Sequence, residues 1–334
     1  MSPASTSEAV ERTVLADVGG TNVRFAVLTG DVLGPIEHRA VRDHARFADA
    51  LAMFLARQTD GAAIRRAIFA VAGVVEGNRC ALTNNPWVVE AAELGARFGL
   101  TGIHIVNDFE ATAWSLPHLT GNDLRMIGGK GAVAGTPMVV LGPGTGLGVA
   151  AYVPNEKGGF VLRSEGGHST MPCASSREDA IIETLRQRLG HVSVERVLSG
   201  HGLENLYSAI VSIDALTAPK RTAMEITQAA LDGTCPASRA ALDMFCEMLG
   251  EVAGNMALTF GAQGGIFIAG GIVSHLFDYL PRSQFRSRFD AKGRMRGYVE
   301  PIPAYLILHE DLAFIGMRSL AARHAGKSIG TAAR

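Results

Sequence analysis

The chain has 334 residues, which at about 100–200 residues per domain is length for roughly two domains. Apolar residues make up 47% of it and charged residues 19%, a globular composition and not a disordered one. With 31 Lys and Arg against 32 Asp and Glu, the formal net charge is −1, which argues against coating nucleic acid or an anionic membrane by bulk charge.

Residues 1–12 read as a polar tail with neither the basic nor the apolar region of an export signal. The four cysteines form no CxxC pair and no zinc-finger spacing with histidine, so reduced thiols in a cytoplasmic protein are expected. Thr13–Leu28 (TVLADVGGTNVRFAVL) carries two apolar runs around a Gly-Gly turn and predicts a β-hairpin. A helix is predicted over Phe47–Arg57, from Phe47, Leu51, Phe54 and Leu55 on one face, and a strand over Arg66–Val75. A helix over Glu90–Phe98 follows the turn Asn84-Asn85-Pro86. A strand over Ile103–Val106 then leads into a helix from Phe109 to Leu116. Residues 117–137 are rich in glycine and are expected to cover the crossing between domains.

Pro137–Val153 (PMVVLGPGTGLGVAAYV) repeats the pattern of strand, small-residue loop and returning strand. Laid on the first hairpin, Asp17 meets Gly142 and Gly19 meets Gly144. The repeat predicts two similar domains, each opening with a hairpin. Ser175-Ser176-Arg177-Glu178 has the form of a capping box and starts a helix carrying Ile181, Ile182, Leu185 and Leu189. A long helix is predicted over Pro236–Gly261, with Met244, Phe245, Met248, Leu249, Val252 and Met256 inward. A buried strand follows in Gly265–Gly271 (GIFIAGG), then a strand over Tyr305–Leu308 and a helix over Asp311–Arg323. The uncharged stretches Gly131–Asn155 and Val252–Ser274 each hold six glycines, too many for a membrane helix. Strands alternating with helices give layered α/β domains.

Several segments offer chemistry. Asp17-Val18-Gly19-Gly20-Thr21-Asn22 and Gly142-Pro143-Gly144-Thr145-Gly146-Leu147-Gly148 pack glycines beside a hydroxyl, which lets backbone N–H groups approach an anion. Neither is a GxxxxGK[ST] loop, and Gly146–Ala151 fits a dinucleotide fingerprint by letter without opening a helix. Asn107 and Asp108 follow a strand and precede a helix. Asp108 is read either as the helix N-cap or as a ligand-side carboxylate at a strand's carboxyl end. Ser164-Glu165-Gly166-Gly167-His168 puts an acid and an imidazole in one turn, suited to a polyol or else simply solvated. Ile268-Ala269-Gly270-Gly271-Ile272 is either plain packing or a place for a flat base to approach the backbone.

Taken together, LADVGGTNVRFAV (15–27), LTNNPW (82–87), VNDFEATA (106–113), LGPGTGLGVA (141–150), SEGGH (164–168), VSVERVLSGHGLENLY (192–207) and GGIFIAGGIV (264–273) resemble the bacterial glucokinases of the actin/hexokinase/Hsp70 ATPase superfamily. The resemblance covers nearly the whole chain in family order. It implies duplicated ribonuclease-H-like domains, 13–117 with 308–334 and 118–307, and glucose and ATP in the cleft between them. It implies ATP-dependent phosphorylation of glucose to glucose 6-phosphate by a homodimer that needs no nucleic acid or membrane. The same fold could instead serve another hexose or phosphate donor, or a silent sugar-binding regulator.

By position, the resemblance makes Asp108 the catalytic base and Asn84, Asn107, Asp108, Glu165, His168 and Glu195 the sugar ligands. Ala16, Asp17, Val18, Gly19, Gly20 and Thr21 form the first phosphate loop, with Asp17 near the Mg²⁺ that accompanies ATP. Gly144, Thr145 and Gly146 form the second, and Gly271 lies on the adenosine side. Pro143 and Asn85 depart from the usual family residues. No Lys or Arg lies between Asp17 and Asn22 or between Gly142 and Gly148, so backbone amides and Mg²⁺ are left to neutralise the phosphates. A side chain at Gly144 is expected to block close approach of the backbone to ATP.

Overall fold

The computed structural model describes residues 11–58, 63–82 and 85–325. The chain divides into two compact units. One runs to His118 and resumes at Glu310; the other is Leu119–His309.

The first unit opens with the hairpin of β1 (Arg12–Val18) and β2 (Asn22–Thr29), antiparallel with Asp17 opposite Arg24. β3 (Val32–Leu33) and β4 (Glu37–Ala40) both pair with β2. After α1 (Phe47–Leu55), β5 (Arg66–Val71) runs parallel to β1. The strand predicted to Val75 stops at Val71, because Gly73 turns the chain back with its N–H on the Val71 carbonyl. A small separate sheet follows, from β6 (Val75–Glu76), β7 (Arg79–Ala81) and β8 (Val88–Glu90). Then come α2 (Ala91–Phe98), β9 (Gly102–Asn107, parallel to β5) and α3 (Asp108–Ser115). The order of the main sheet is β3-β2-β1-β5-β9. Parallel strands covered on both faces need apolar residues throughout, and Val14, Leu15, Ala16 and Val18 of β1 are all fully buried. Phe25, Phe47, Phe54, Phe69 and Trp87 form the aromatic centre of this core, stacked and edge-on.

The second unit begins with β10 (Leu124–Met126), a strand inside the stretch expected to be a connection; it pairs antiparallel with a strand far along the chain. β11 (Met138–Pro143) and β12 (Leu147–Val153) form the second hairpin, and β13 (Phe160–Ser164) pairs with β12. Four helices follow: α4 (Ser176–Leu189), α5 (Gly200–Ile213), α6 (Ala223–Leu231) and α7 (Pro236–Phe260). The capping box predicted at α4 is half formed. Ser175 accepts the Glu178 N–H, but the fully buried Glu178 carboxylate turns to the Ala174 N–H and to Arg288. α7 starts on Pro236 and ends at Gly261, whose φ of +59° suits only a residue without a Cβ penalty.

Beyond α7 lie β14 (Gly265–Ile268), α8 (Gly271–Ser274), α9 (Phe285–Asp290), α10 (Arg296–Val299) and β15 (Ala304–Ile307). A Cβ at Gly250 would stand 2.1 Å from the Phe285 carbonyl oxygen, and one at Gly254 2.5 Å from that of Phe289. These two glycines, one turn apart, let α7 touch the backbone of α9. The sheet order is β13-β12-β11-β14-β15-β10, with β14 parallel to both β11 and β15. Strand for strand and direction for direction, β13-β12-β11-β14-β15 repeats β3-β2-β1-β5-β9. α11 (Leu312–His324) returns to the first unit and packs on α3. No helix among the described residues is long and apolar enough to cross a membrane.

Candidate functional site

In the first unit the loop between β1 and β2 is closed by the Gly19 N–H on the Asn22 carbonyl at 3.0 Å. The Gly20 carbonyl accepts from Asn85 Nδ2 at 3.4 Å, and the Thr21 carbonyl accepts the Val41 N–H at 2.8 Å. With these carbonyls turned into the protein, the Gly20 and Thr21 N–H groups have no hydrogen-bond partner among the described residues. Ala16 and Val18 are buried in β1. Asp17 stands between them on the strand's other face. Its Oδ2 accepts from Arg24 Nε at 3.0 Å and Nη2 at 2.6 Å, and Arg24 Nη1 also reaches Asp311 at 2.8 Å. The first loop therefore has a cation beside it after all, supplied across the hairpin and not from within the loop.

Asn107 and Asp108 sit at the junction of β9 and α3. The cap is Asn107: its Oδ1 accepts the N–H groups of Phe109 at 2.8 Å and Glu110 at 3.3 Å, while Nδ2 donates to the Gly73 carbonyl at 3.1 Å. Asp108 is thereby relieved of the capping role considered for it, although its Oδ1 accepts its neighbour Phe109's N–H at 2.9 Å. One Asn107 amide hydrogen remains for a ligand. The Cys80 thiol lies under this corner; burial first, and the Asp108 charge second, push its pKa up. Asn84 lies outside the described residues. Its neighbour Asn85 caps the same turn, accepting the Trp87 N–H at 2.7 Å.

The second unit repeats the loop arrangement. The Gly144 N–H bonds the Gly146 carbonyl at 2.8 Å, the Gly144 carbonyl accepts the Gly200 N–H at 2.9 Å, and the Thr145 and Gly146 N–H groups have no partner among the described residues. Glu195 is held against this loop, with Oε2 accepting the Leu147 N–H at 2.9 Å. Its own N–H donates to Gly167 at 2.8 Å, which ties in the turn that carries Glu165 and His168. Those two side chains lie 3.8 Å apart and are mostly exposed, so they are open to a solute. Steric need for glycine falls at Gly146, where a Cβ would meet Glu195 Oε2 at 2.5 Å. At Gly144 a Cβ meets nothing within 4 Å.

Gly144, Thr145 and Gly271 line one cavity of about 360 Å³, together with Gly200, His201, Glu204, Ala223 and Ile272. Gly271 presents open backbone there. Gly270 before it is forced to be glycine, with φ +99° and a would-be Cβ 2.4 Å from the Pro143 carbonyl oxygen. His201, Glu204 and Ala223 had no role assigned from sequence. The available signal was Ser199 ahead of Gly200-His201-Gly202, a small-residue helix start whose cap bond to Gly202 measures 3.0 Å. No cluster of three or more His, Cys, Asp or Glu side chains that could hold a metal occurs among the described residues.

Two backbone loops with paired, unused N–H groups suit anionic oxygens, and a carboxylate at the carboxyl end of a parallel strand suits proton transfer. Comparisons with known proteins agree. Residues 14–324 match the family model described as Glucokinase. The chain is 45% identical to a glucokinase of Paramagnetospirillum magneticum over 92% of its length and 96% of the relative's, and 43% identical to one of Nitrobacter hamburgensis over the same shares. Among solved structures, a glucokinase from an Antarctic psychrotroph superposes with a TM-score of 0.85 at 33% identity, covering 94% of this chain and 99% of the other. The chain belongs to the glucokinase family.

Proposed function

We infer that this protein is an ATP-dependent glucokinase that transfers the γ-phosphoryl group of ATP to the 6-hydroxyl of glucose, giving ADP and glucose 6-phosphate. The observation that carries this reading is the family match over residues 14–324, which includes both loops and Asp108. The two units are read as duplicated ribonuclease-H-like domains, 13–117 with 308–334 and 118–307; the repeated strand order supports this. A cytoplasmic homodimer is part of the same reading.

Asp108 is the proposed base. Phosphoryl transfer passes through a loose transition state, so the protein chiefly positions reactants and stabilises charge. As the bond from O6 to the γ-phosphorus forms and the bond to the β-bridging oxygen breaks, the 6-hydroxyl becomes acidic and its proton passes to Asp108. Asn84, Asn107, Glu165, His168 and Glu195 are the proposed sugar ligands. The N–H groups of Gly20, Thr21, Thr145 and Gly146 receive phosphate oxygens, and Gly271 faces the adenosine. Ala16 and Val18 hold the first loop in register, and Gly19 closes it.

Magnesium usually keeps several waters and is bound by one or two carboxylates together with substrate phosphates. The donors present fit that pattern: Asp17 Oδ1 has no partner among the described residues, while Oδ2 is committed to Arg24. Asp17 would hold the ion, which supplies charge neutralisation on the phosphates when bound.

A coupled assay across a panel of hexoses and phosphate donors, run beside Asp108→Asn, tests the reading. Glucose with ATP should be the preferred pair. Asparagine keeps the shape but cannot take the proton, so kcat should fall by about 10²–10⁴-fold with glucose binding retained. A variant keeping more than about a tenth of kcat removes Asp108 from the base role.

A further inference from the structure

Glu195 enters the proposed function as a sugar ligand, yet half of its carboxylate is already engaged elsewhere. Oε2 accepts the Leu147 N–H at 2.9 Å and fills the space where a Gly146 Cβ would stand, 2.5 Å away. The peptide between Gly146 and Leu147 is thus held at both ends. Its carbonyl accepts the Gly144 N–H at 2.8 Å and its N–H is taken by Glu195. Glycine stands at positions 144, 146 and 148, so on the loop side no Cβ restrains this peptide where it leaves β12.

The strut has a firm base. The Glu195 N–H bonds Gly167 at 2.8 Å and the Val194 N–H bonds Ser169 at 2.9 Å. Gly167 itself is pressed against the loop exit, since a Cβ there would fall 2.2 Å from the Leu147 carbonyl oxygen. Oε1 of Glu195 has no partner among the described residues.

We propose that Glu195 is a positioning residue for the second glycine loop as well as a sugar ligand, so that one carboxylate links glucose to nucleotide. Oε2 sets the peptide plane that aims the Thr145 and Gly146 N–H groups, while Oε1 is left for a sugar hydroxyl. Sugar bound at Oε1 orders the carboxylate and with it the loop, so glucose tightens ATP binding and ATP tightens glucose binding by the same factor. This rests on the assignment of that loop to ATP phosphates.

The experiment compares Glu195→Ala and Glu195→Gln, alone and with Gly146→Ala. It measures binding of a non-hydrolysable ATP analogue with and without glucose, both KM values, and the exchange of the Leu147 amide in the free protein. Losing a hydrogen bond to a charged group should weaken the analogue about tenfold or more in Glu195→Ala, and should erase its enhancement by glucose. Glu195→Gln keeps an oxygen that can accept the Leu147 N–H. It should recover most of the analogue affinity while glucose KM stays raised, a split that a merely structural residue would not give. Gly146→Ala collides with Oε2, so its penalty on analogue binding should shrink in the Glu195→Ala background. Unchanged analogue affinity in Glu195→Ala overturns the proposal, and the amide then shows which part fell. Retained protection of Leu147 means that the strut does not act. Lost protection means that the loop moves but does not hold ATP.

Discussion

Gly316 is where the structure makes its most demanding prediction about Asp108. A Cβ added there would stand 1.8 Å from the Ala111 carbonyl oxygen, 2.7 Å from its carbon and 3.3 Å from the Ser115 nitrogen. Carbon and oxygen atoms approach to about 3.3 Å, so Gly316→Ala must part α11 from α3 by about 1.5 Å or tilt α3 by an equivalent amount. Overpacking of this kind costs about 1–3 kcal/mol. Asp108 lies three residues before Ala111 on α3, within one turn, and moves with it. Misplacing a reacting group by about 1 Å costs on the order of 10² in rate. We therefore expect kcat to fall about 10- to 100-fold, ATP KM to stay near wild type, and the melting temperature to drop by several degrees, at about 2–4 °C per kcal/mol. A coupled assay and a thermal melt measure both. Gly131→Ala is the control, because a Cβ there meets nothing within 4 Å. Wild-type kcat and melting temperature in Gly316→Ala would refute the claim that this contact sets Asp108.

Glu165→Gln and His168→Ala should each raise glucose KM about tenfold and leave ATP KM unchanged; equal rises in both would detach this turn from the sugar. The rings of His104 and His324 stack with centroids 3.7 Å apart. Burial, then the Arg66 charge, lowers the pKa of His104; burial, then the His104 charge, lowers that of His324. Folding thus disfavours the charged form of both rings, so their stabilising effect is complete above 6.5, the ordinary histidine value, and is lost as pH falls from there through the lowered folded pKa values. The melting temperature should decline from pH 7.5 to 5.5 (a range set about the ordinary value near ~6.5), and less steeply in His104→Phe/His324→Phe; identical slopes would sink the assignment. Chelation should abolish activity without lowering the melting point of nucleotide-free protein. A lowered melting point would reveal a structural metal.

Sequence reasoning found what local chemistry determines. Both hairpins show because apolar runs flank a glycine turn, and α7 shows because Pro236 and Gly261 bracket a helical period. The strand β10 stays hidden, since Leu124–Met126 is too short to show a pattern and its partner Ala304–Ile307 is remote in sequence. Adjacent Asn107 and Asp108 can both cap a helix, and only the backbone geometry decides for Asn107. The pairing of Arg24 with Asp17 is legible from sequence, because a hairpin turning at Gly19–Thr21 sets residue 24 opposite residue 17. The roles of His201, Glu204 and Ala223 are not legible in the sequence. Their meeting with Gly144 and Gly271 depends on where α5 and α6 land in the folded unit.

The helix that braces α3 leaves the ribosome only after the whole second unit. The first unit pauses after His118 and resumes at Glu310, so about 190 residues of the second unit intervene. At about 5–20 residues per second that interval is on the order of ten seconds or more. Throughout it, the face of α3 that will receive α11 stands open, and it includes the Trp114 ring that Arg323 of α11 later covers, at 5.3 Å. A polypeptide released early carries Asp108 on an unbraced helix. Bracing of the helix that carries Asp108 therefore comes only after the whole second unit has been made.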